Sequence, residues 1–456
     1  MKERISLLYL IAIVYFTVSG GAFGLEELVR SAGPGLALLL LAVTPLLWSL
    51  PIALMAAEMG SMLPVEGGYY RWVHLALGRF WGFQEGWWTW LYTFVDMALY
   101  PVLFADYAKY FFPNLTGWKH WLITLLVIYS GLALNLRGPR SVGRSAVLSF
   151  IFVALPFLLF SALGMLKIQN VPWQPLTPDD HSLGQSIGLG LSVVLWSYSG
   201  WDNVSTFAGE VERPKRNYPL AMMISVPLVT LLYLLPIGAG LGATHNWREW
   251  QTGTFSHVAA QVGGPWLGAL MSLGVLFSVW SLFNSQLLYT SRLPLAMAED
   301  GLLPRMLSRR HPRWGTPHVS LLLCSVIYSL FALLDFRKLV AMDVLLYAIA
   351  LMLEFVALIK LRWHRPDLER PFKIPGGWLG LTLMTCALAA FALACLTFTL
   401  VGREESWKQV AIVAAMLLTG PLAFFVERKF AGHPRREIPS PNGEAPIPRS
   451  AGPSTK

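Results

Sequence analysis

Charged residues are scarce in this sequence. Only 13% of its 456 residues are Asp, Glu, Lys or Arg, whereas a typical soluble domain carries about a quarter. Hydrophobic residues make up 55%, and the mean hydropathy is +0.52. These values exclude an ordinary soluble domain. The apolar runs predict an all-α polytopic membrane protein with about twelve spans.

Other absences exclude classes of chemistry. The three cysteines, Cys324, Cys386 and Cys395, lie in apolar runs without metal-like spacing, so neither redox chemistry nor a metal site is expected. All nine histidines fall in or beside predicted loops, which argues against haem bound in the membrane. The sequence has no HExxH, Walker A or GxSxG motif. We therefore expect neither an enzyme nor an ATP-driven pump, and no cofactor.

The net charge of +9 would suggest nucleic acid in a soluble protein, but its distribution indicates a membrane. If the N-terminus is cytoplasmic, about 26 of the 35 Lys and Arg residues face the cytoplasm. The first apolar run, residues 5–31, is too long for a cleavable signal peptide. We expect a plasma (inner) membrane protein with both termini in the cytoplasm, the lipid bilayer as a partner, and no nucleic acid.

A glycine-rich break interrupts the first predicted span. Residues 19–27 read SGGAFGLEE, and Gly20, Gly21 and Gly24 lower the helix propensity where a spanning helix would continue. Unwound backbone at membrane depth is tolerated only where it is buried in protein or lines a cavity. The break therefore predicts a binding site.

Two acids follow this break directly. Glu26 and Glu27 favour a cation as the bound group, with Glu26 the better candidate for substrate. The alternative is that Glu26 pairs with Arg30 at i, i+4 on a solvated helix end. Glu58, near the inner end of the second span, is expected to form a structural ion pair.

Asp96 lies near the middle of the third predicted span, residues 81–112. A lone acid at the centre of a span costs about 3 kcal/mol on insertion scales, so it is a functional candidate by default. Tyr92 and Tyr100 lie one turn to either side on the same helix face. The alternative is a packing carboxyl hydrogen-bonded to another helix. Glu354 in the tenth span is a further acid, which faces either a cavity or a basic partner.

The sixth predicted span is interrupted in a similar way. An apolar half-helix ends at Ser199 and Gly200, and Asp202 follows. Asp202 is a candidate to face substrate and also a candidate N-cap of the next turn, and the two roles can coexist. Tyr198 and Trp201 flank the break and either stack on a cation or wall a gate. Interrupted spans one and six are typical of transporters built from inverted repeats.

Five motifs recur in order along the chain, and they resemble the amino acid, polyamine and organocation (APC) superfamily of secondary transporters. They are SGGAFG, PVEGGYYRW, GFQEGW, GEVERPKRNYP and SRLPLAMAEDGLLP. Several of these motifs lie in two segments between predicted spans. We interpret residues 64–87 as a short amphipathic connection and residues 291–320 as a cytoplasmic loop. Within the superfamily the sequence is most similar to the polyamine:proton symporters, the plant polyamine uptake transporters and their bacterial relatives. The matching stretches include GGAFGLEELVRSAGP, WSLPIALMAAEMGSMLP and GWDNVSTFAGEVERPKRNYP.

The resemblance implies a leucine-transporter-type fold, with two inverted five-helix repeats at about 5–166 and 185–363 and two extra helices at about 376–427. Residues 1–428 would form one transporter domain, and 429–456 a disordered cytoplasmic tail. The implied function is proton-driven import of a polyamine by alternating access. By motif position the substrate cavity would include Gly20, Gly21, Glu26, Glu27, Asp96, Tyr198, Trp201 and Asp202. Tyr100 is a further candidate because it lies beside Asp96 on the same helix face.

One departure from the resemblance concerns the proton. Some proton-coupled relatives carry a lysine inside span five, whereas here Lys167 lies at its outer end. Glu27, Asp96 and Glu354 are the remaining candidates for proton coupling, if burial favours their protonated form.

A rival hypothesis is a proton-coupled amino acid permease of the same superfamily. In it, the amides of Gly20 and Gly21 would hold the substrate carboxylate, and an acid would hold the amine. Three spaced acids, Glu26, Asp96 and Asp202, favour a polyamine, which has several ammonium groups and no carboxylate. A sensor is disfavoured because no soluble domain is evident.

Overall fold

The computed structural model describes residues 4–251, 253–333, 336–401 and 406–430. Within these ranges the chain is helical, with one isolated β-bridge between Ile5 and Val211. The prediction of a mostly helical chain is confirmed, while nearly all of the predicted disordered tail lies outside the described residues. The α-helices are α1 (Leu7–Val18), α2 (Glu26–Ala32), α3 (Pro34–Thr44), α4 (Leu50–Met62), α5 (Gly68–Leu77), α6 (Arg79–Ala108), α7 (Trp118–Leu136), α8 (Pro139–Leu166), α9 (Leu183–Ser197), α10 (Pro214–Ala243), α11 (Phe255–Gly263), α12 (Pro265–Thr290), α13 (Arg292–Glu299), α14 (His318–Phe331), α15 (Phe336–His364), α16 (Gly377–Val401) and α17 (Ser406–Phe430).

Several of these helices suit a membrane. In the described part of the chain, six helical segments are long and apolar enough to cross one. Four shorter apolar helices join them, including the half-helices α1 and α9. The six segments are Pro34–Met62, Trp118–Leu136, Pro139–Leu166, Pro214–Ala243, Pro265–Glu299 and Gly377–Ala394.

Both predicted interruptions are present as non-helical backbone. The α1 helix ends at Val18, and Gly21 and Gly24 adopt positive φ angles of 92° and 85° before α2 begins. The α9 helix ends at Ser197, and Gly200 has a φ of 97° ahead of a 3₁₀ helix, Asn203–Glu210. Glycine tolerates this left-handed region because it lacks a Cβ atom.

The two interrupted segments lie side by side. A Cβ atom added at Gly200 would be 3.0 Å from the carbonyl oxygen of Thr17 in α1. Nearby, the Ile5 N–H donates to the Glu210 carbonyl, and the Glu212 N–H donates to the Ile5 carbonyl, both at 2.9 Å. The start of α1 is thus joined through its backbone to the end of the second interrupted segment.

Two stretches are more ordered than their sequences suggested. The predicted connection at 64–87 contains all of α5 and the start of α6, and the predicted loop at 291–320 contains α13. The α5 helix packs so closely on the 3₁₀ helix that a Cβ atom at Gly68 would lie 2.1 Å from the Ser205 hydroxyl oxygen. Most α13 side chains are buried. Packing against the rest of the protein explains these helices better than local sequence pattern does.

Charged residues from three of the motifs meet at one end of the helices. Arg310 is bound by the carboxylates of Glu66 and Glu299. Partial burial acts to lower the pKa of Arg310, but these two carboxylates outweigh it and raise that pKa above its ordinary value. The other pairs in this ion-pair cluster are Arg71 with Glu299 and Asp300, and Arg292 with Glu210.

Glu58 forms the structural ion pair expected for it. The carboxylate is fully buried and accepts hydrogen bonds from the Arg362 guanidinium and from the Ile374 N–H. The Arg370 guanidinium lies 3.6 Å away. These contacts join the end of α4 to the end of α15 and the segment after it.

Candidate substrate site

Asp202 is the acid at the second interruption, and it is buried. Its carboxylate accepts a hydrogen bond from the Tyr347 hydroxyl, whose oxygen in turn accepts the Gly200 N–H at 3.1 Å. Asp202 stands at the N-cap position of the 3₁₀ helix, but its side chain makes no capping hydrogen bond there. The side chain instead contacts Tyr347 on α15, so Asp202 has the N-cap position that the alternative gave it but not the capping hydrogen bond.

Glu354, also on α15, is the second neighbour of Asp202. The two buried carboxyl groups lie close enough to interact electrostatically. Two carboxylates this close in a buried site repel each other, which favours a proton on one of them. The pair can thus hold a proton in the protein interior, beside the unwound backbone.

Asp96 occupies a separate position on α6 and is also buried. It accepts a hydrogen bond from the Tyr100 hydroxyl at 2.9 Å. The Gln286 side-chain amide donates to the Tyr100 hydroxyl at 2.7 Å. Trp196 is stacked on the Tyr100 ring, with centroids 6.4 Å apart. Asp96 is thus held by residues of α6, α9 and α12.

A chain of polar side chains links the two acidic positions. The Tyr289 hydroxyl donates to the side-chain amide oxygen of Gln286 at 3.4 Å and lies 3.4 Å from the Tyr92 hydroxyl. Tyr92 donates to the Asn203 side chain at 3.3 Å, and its ring lies edge-on to Tyr347 with centroids 5.9 Å apart. This set has two acidic positions, Asp96 at one end and the Asp202–Glu354 pair at the other. We call it the two-acid network after these two positions.

Glu26 is not part of this network. Its buried carboxylate accepts three backbone N–H groups, from Gly24 at 2.7 Å and from Gly253 and Phe255 at 3.3 Å. The described contacts of Glu26 therefore do not include the alternative partner, Arg30. The carboxylate fastens the first break to the start of α11, while Glu27 is only half-buried.

The remaining predicted site residues are bound within the protein. The Gly20 carbonyl accepts the Ser278 hydroxyl, and the Gly21 N–H donates to the Ser19 hydroxyl oxygen at 3.1 Å. Tyr198 donates to the Leu41 carbonyl at 3.0 Å. The Trp201 indole, fully buried, donates to the Tyr198 carbonyl at 2.8 Å. Of the predicted residues, the structure brings Asp96, Tyr100, Asp202 and Glu354 into the network.

Sequence reasoning missed Tyr347, Gln286, Tyr289 and Asn203. One signal was available for Tyr347, which precedes Glu354 by seven residues and so shares its face of a helix. A polar Gln286 within an apolar span was a second signal.

Comparison with known proteins identifies the family. Residues 5–421 match the model of a family described as amino acid permease. The chain belongs to the amino acid permease family, in the APC superfamily. This permease is therefore a transporter rather than an enzyme and a multi-pass membrane protein, and its substrates are small organic molecules.

The similarity to individual relatives covers most of this permease. It is 38% identical over 433 residues to a probable polyamine transporter of Arabidopsis thaliana, a match that covers 94% of this chain and 85% of the relative. It is 37% identical over 432 residues to the polyamine transporter PUT1 of Oryza sativa subsp. japonica, covering 94% and 80%. The permease is 26% identical over 423 residues to the branched-chain amino acid permease BcaP of Bacillus subtilis, covering 85% and 86%.

Proposed function

We propose that this permease imports polyamines, such as putrescine and spermidine, together with protons. The observation that carries the proposal is the two-acid network. Polyamines present ammonium groups separated by short alkyl chains, and the network places buried carboxyl groups at both ends of a row of hydroxyl, amide and aromatic groups. Carboxylates bind ammonium groups through charge-assisted hydrogen bonds, and aromatic rings favour the cationic chain between them. The relatives named as polyamine transporters support this choice.

The first break supports a polyamine over an amino acid. An amino acid substrate would need free backbone N–H groups for its carboxylate at the N-terminal end of α2. The Gly24 N–H there already donates to Glu26, and the Gly21 N–H donates to Ser19. Glu26 thus occupies the place of a bound anion. The rival function, a proton-coupled amino acid permease, would require this carboxylate to leave three hydrogen bonds.

We propose Glu354 as the proton carrier, in its pair with Asp202. An arriving ammonium group would compete with the shared proton for the Asp202 carboxylate, so substrate and proton meet at one site. Transport would then proceed by alternating access, in a chain of about twelve spans with two inverted repeats, in the plasma membrane and with cytoplasmic termini. The ion-pair cluster would lie on the cytoplasmic side, where positive residues are favoured.

Uptake into proteoliposomes tests the function. Labelled spermidine should accumulate when an inward proton gradient is imposed, and a protonophore should abolish the accumulation. A branched-chain amino acid offered at the same concentration should not accumulate. Amino acid accumulation without spermidine accumulation would contradict the proposal and favour the rival.

Glu354→Gln tests the proton carrier. The amide keeps the shape of the carboxyl group but cannot take up or release the proton. We expect proton-driven accumulation to be lost while exchange of external for internal spermidine continues. The control is Glu249→Gln, an exposed glutamate that accepts a hydrogen bond from Asn246. Accumulation by the Glu354→Gln variant at the wild-type rate would remove Glu354 from the coupling step.

A further inference from the structure

Glu85 is a buried acid that neither the sequence motifs nor the two-acid network explains. It belongs to the GFQEGW motif and lies on α6, eleven residues before Asp96, which corresponds to about 16 Å along the helix axis. One carboxylate oxygen accepts the Thr89 hydroxyl at 3.1 Å. The other, Oε2, is buried and has no hydrogen-bond partner. Burying a carboxylate oxygen without a hydrogen-bond partner costs free energy, unless a ligand supplies the missing hydrogen bond.

The surroundings of Glu85 contain other unsatisfied acceptors. Its carboxyl group lies within electrostatic reach of the Asp202 and Glu354 carboxyl groups. The Tyr69 hydroxyl interacts with all three, is buried, and likewise has no hydrogen-bond partner. Glu354 Oε2 is a third unpartnered atom.

The fold brings these groups together from three elements. The Tyr69 N–H donates to the Ser205 hydroxyl at 3.2 Å, so the start of α5 is fastened beside the second break. The α15 helix, which carries Glu354, packs against both α5 and α6. None of the ion pairs formed by the described residues includes Glu85, Asp202 or Glu354. The basic residue close to Tyr69 in sequence, Arg71, pairs with Glu299 and Asp300 instead.

An organic ammonium group matches this set of atoms. It supplies a positive charge and three N–H donors. The available acceptors are Glu85 Oε2, Glu354 Oε2 and the Tyr69 hydroxyl oxygen. A proton on either Asp202 or Glu354 would neutralise one of the three acids and leave negative charge for a cation. The described residues contain no cluster of His, Cys, Asp and Glu that fits a metal ion.

We propose that Glu85, Glu354 and Tyr69 form a third cation subsite, which holds a terminal ammonium group of a triamine. This inference rests on the proposed function, in which Asp96 and Asp202 hold the other ammonium groups. A diamine has two ammonium groups, which Asp96 and Asp202 would hold, so the third subsite would receive none. A triamine has one further ammonium group, so Glu85 would determine a preference for triamines over diamines.

Glu85→Gln is the variant to test, because the amide keeps an acceptor for Thr89 and removes the charge. Binding of spermidine and of putrescine to the purified full-length protein would be measured by calorimetry. We expect the affinity for spermidine to fall about tenfold to a hundredfold, as for loss of a hydrogen bond to a charged group. The affinity for putrescine should remain within about twofold of wild type. Glu249→Gln is the matched control and should change neither value.

Tyr69→Phe is a second variant that avoids a folding defect. Its hydroxyl has no partner in the protein without substrate, so its removal should not lower the melting temperature. It should weaken spermidine binding about threefold to tenfold while leaving putrescine binding unchanged. Unchanged spermidine binding in both variants, or an equal loss for the two amines, would overturn the third subsite. Failure of the wild type to bind either amine would instead overturn the proposed function.

Discussion

The two helix breaks look alike in sequence but differ in what their acids contact. Each has a Ser-Gly pair followed by an acid, Glu26 in the first and Asp202 in the second. The Glu26 carboxylate accepts three backbone N–H groups. Asp202 instead meets a tyrosine hydroxyl and a second carboxyl group. The local pattern locates both acids, whereas the neighbouring elements decide which of them is available to a ligand.

The kinds of donor explain this difference. Backbone N–H groups are fixed by the fold, and those around Glu26 come from its own break and from the start of α11. Displacing them requires local unfolding. Around Asp202 the neighbours are side-chain groups, a hydroxyl that can rotate and a carboxyl group that can gain or lose a proton. These contacts favour a structural role for Glu26, and in the proposed function Asp202 exchanges its partners for a cation.

The largest expected effect comes from Asp202→Asn. The substitution removes the charge that faces the ammonium group in a buried site, where loss of one partner of an ion pair costs about 3–5 kcal/mol. We expect the initial rate of spermidine uptake into proteoliposomes to fall by about a hundredfold or more. A rate within about threefold of wild type would show that the second break does not bind the substrate.

Glu26→Gln is the matching substitution at the first break, and we expect it to affect stability instead. The amide cannot accept all three N–H groups as strongly as the carboxylate, which should lower the free energy of unfolding by about 1–3 kcal/mol. The melting temperature of the purified protein should therefore fall. The KM of the remaining folded protein for spermidine should equal the wild-type value. A large increase in KM would place Glu26 in the substrate site and remove the contrast between the breaks.

Two alanine substitutions at glycines compare the breaks through their backbones. Gly24 and Gly200 both have positive φ angles, so alanine costs about 1–2 kcal/mol at either. A Cβ atom at Gly24 meets no other atom within 4 Å, but at Gly200 it lies 3.0 Å from the Thr17 carbonyl oxygen. Gly200→Ala should therefore reduce the melting temperature and the uptake rate more than Gly24→Ala. Equal losses would show that the contact between the breaks has no energetic role.

The smallest expected effect is that of Tyr347→Phe. The Tyr347 hydroxyl donates to Asp202 and accepts the Gly200 N–H, so phenylalanine removes both hydrogen bonds while the Asp202 charge remains. We expect the KM for spermidine to change by about threefold to tenfold. The same substitution at Tyr198, which donates to the Leu41 carbonyl, should leave KM unchanged. A similar effect of both variants would mean that Tyr347 acts only through packing.

Much of the helical architecture was predictable because hydrophobic length and glycine breaks are local properties of the chain. The broken first and sixth segments and the buried acids Asp96, Asp202 and Glu354 follow from such patterns. The pairing of Asp202 with Glu354 was not predictable, because it depends on how α15 packs on the second break. Two of the backbone partners of Glu26 were likewise not predictable, because they lie more than 220 positions away in the sequence.

The backbone bridge between Ile5 and the segment Glu210–Glu212 has a mechanical consequence. Two hydrogen bonds of 2.9 Å fasten the start of α1 to the far end of the second interrupted segment. A tilt of α1 would therefore pull on that segment through these backbone hydrogen bonds, without any side chain in between. If Asp202 binds substrate as proposed, this bridge would carry a displacement of the second break to the residues that precede α1.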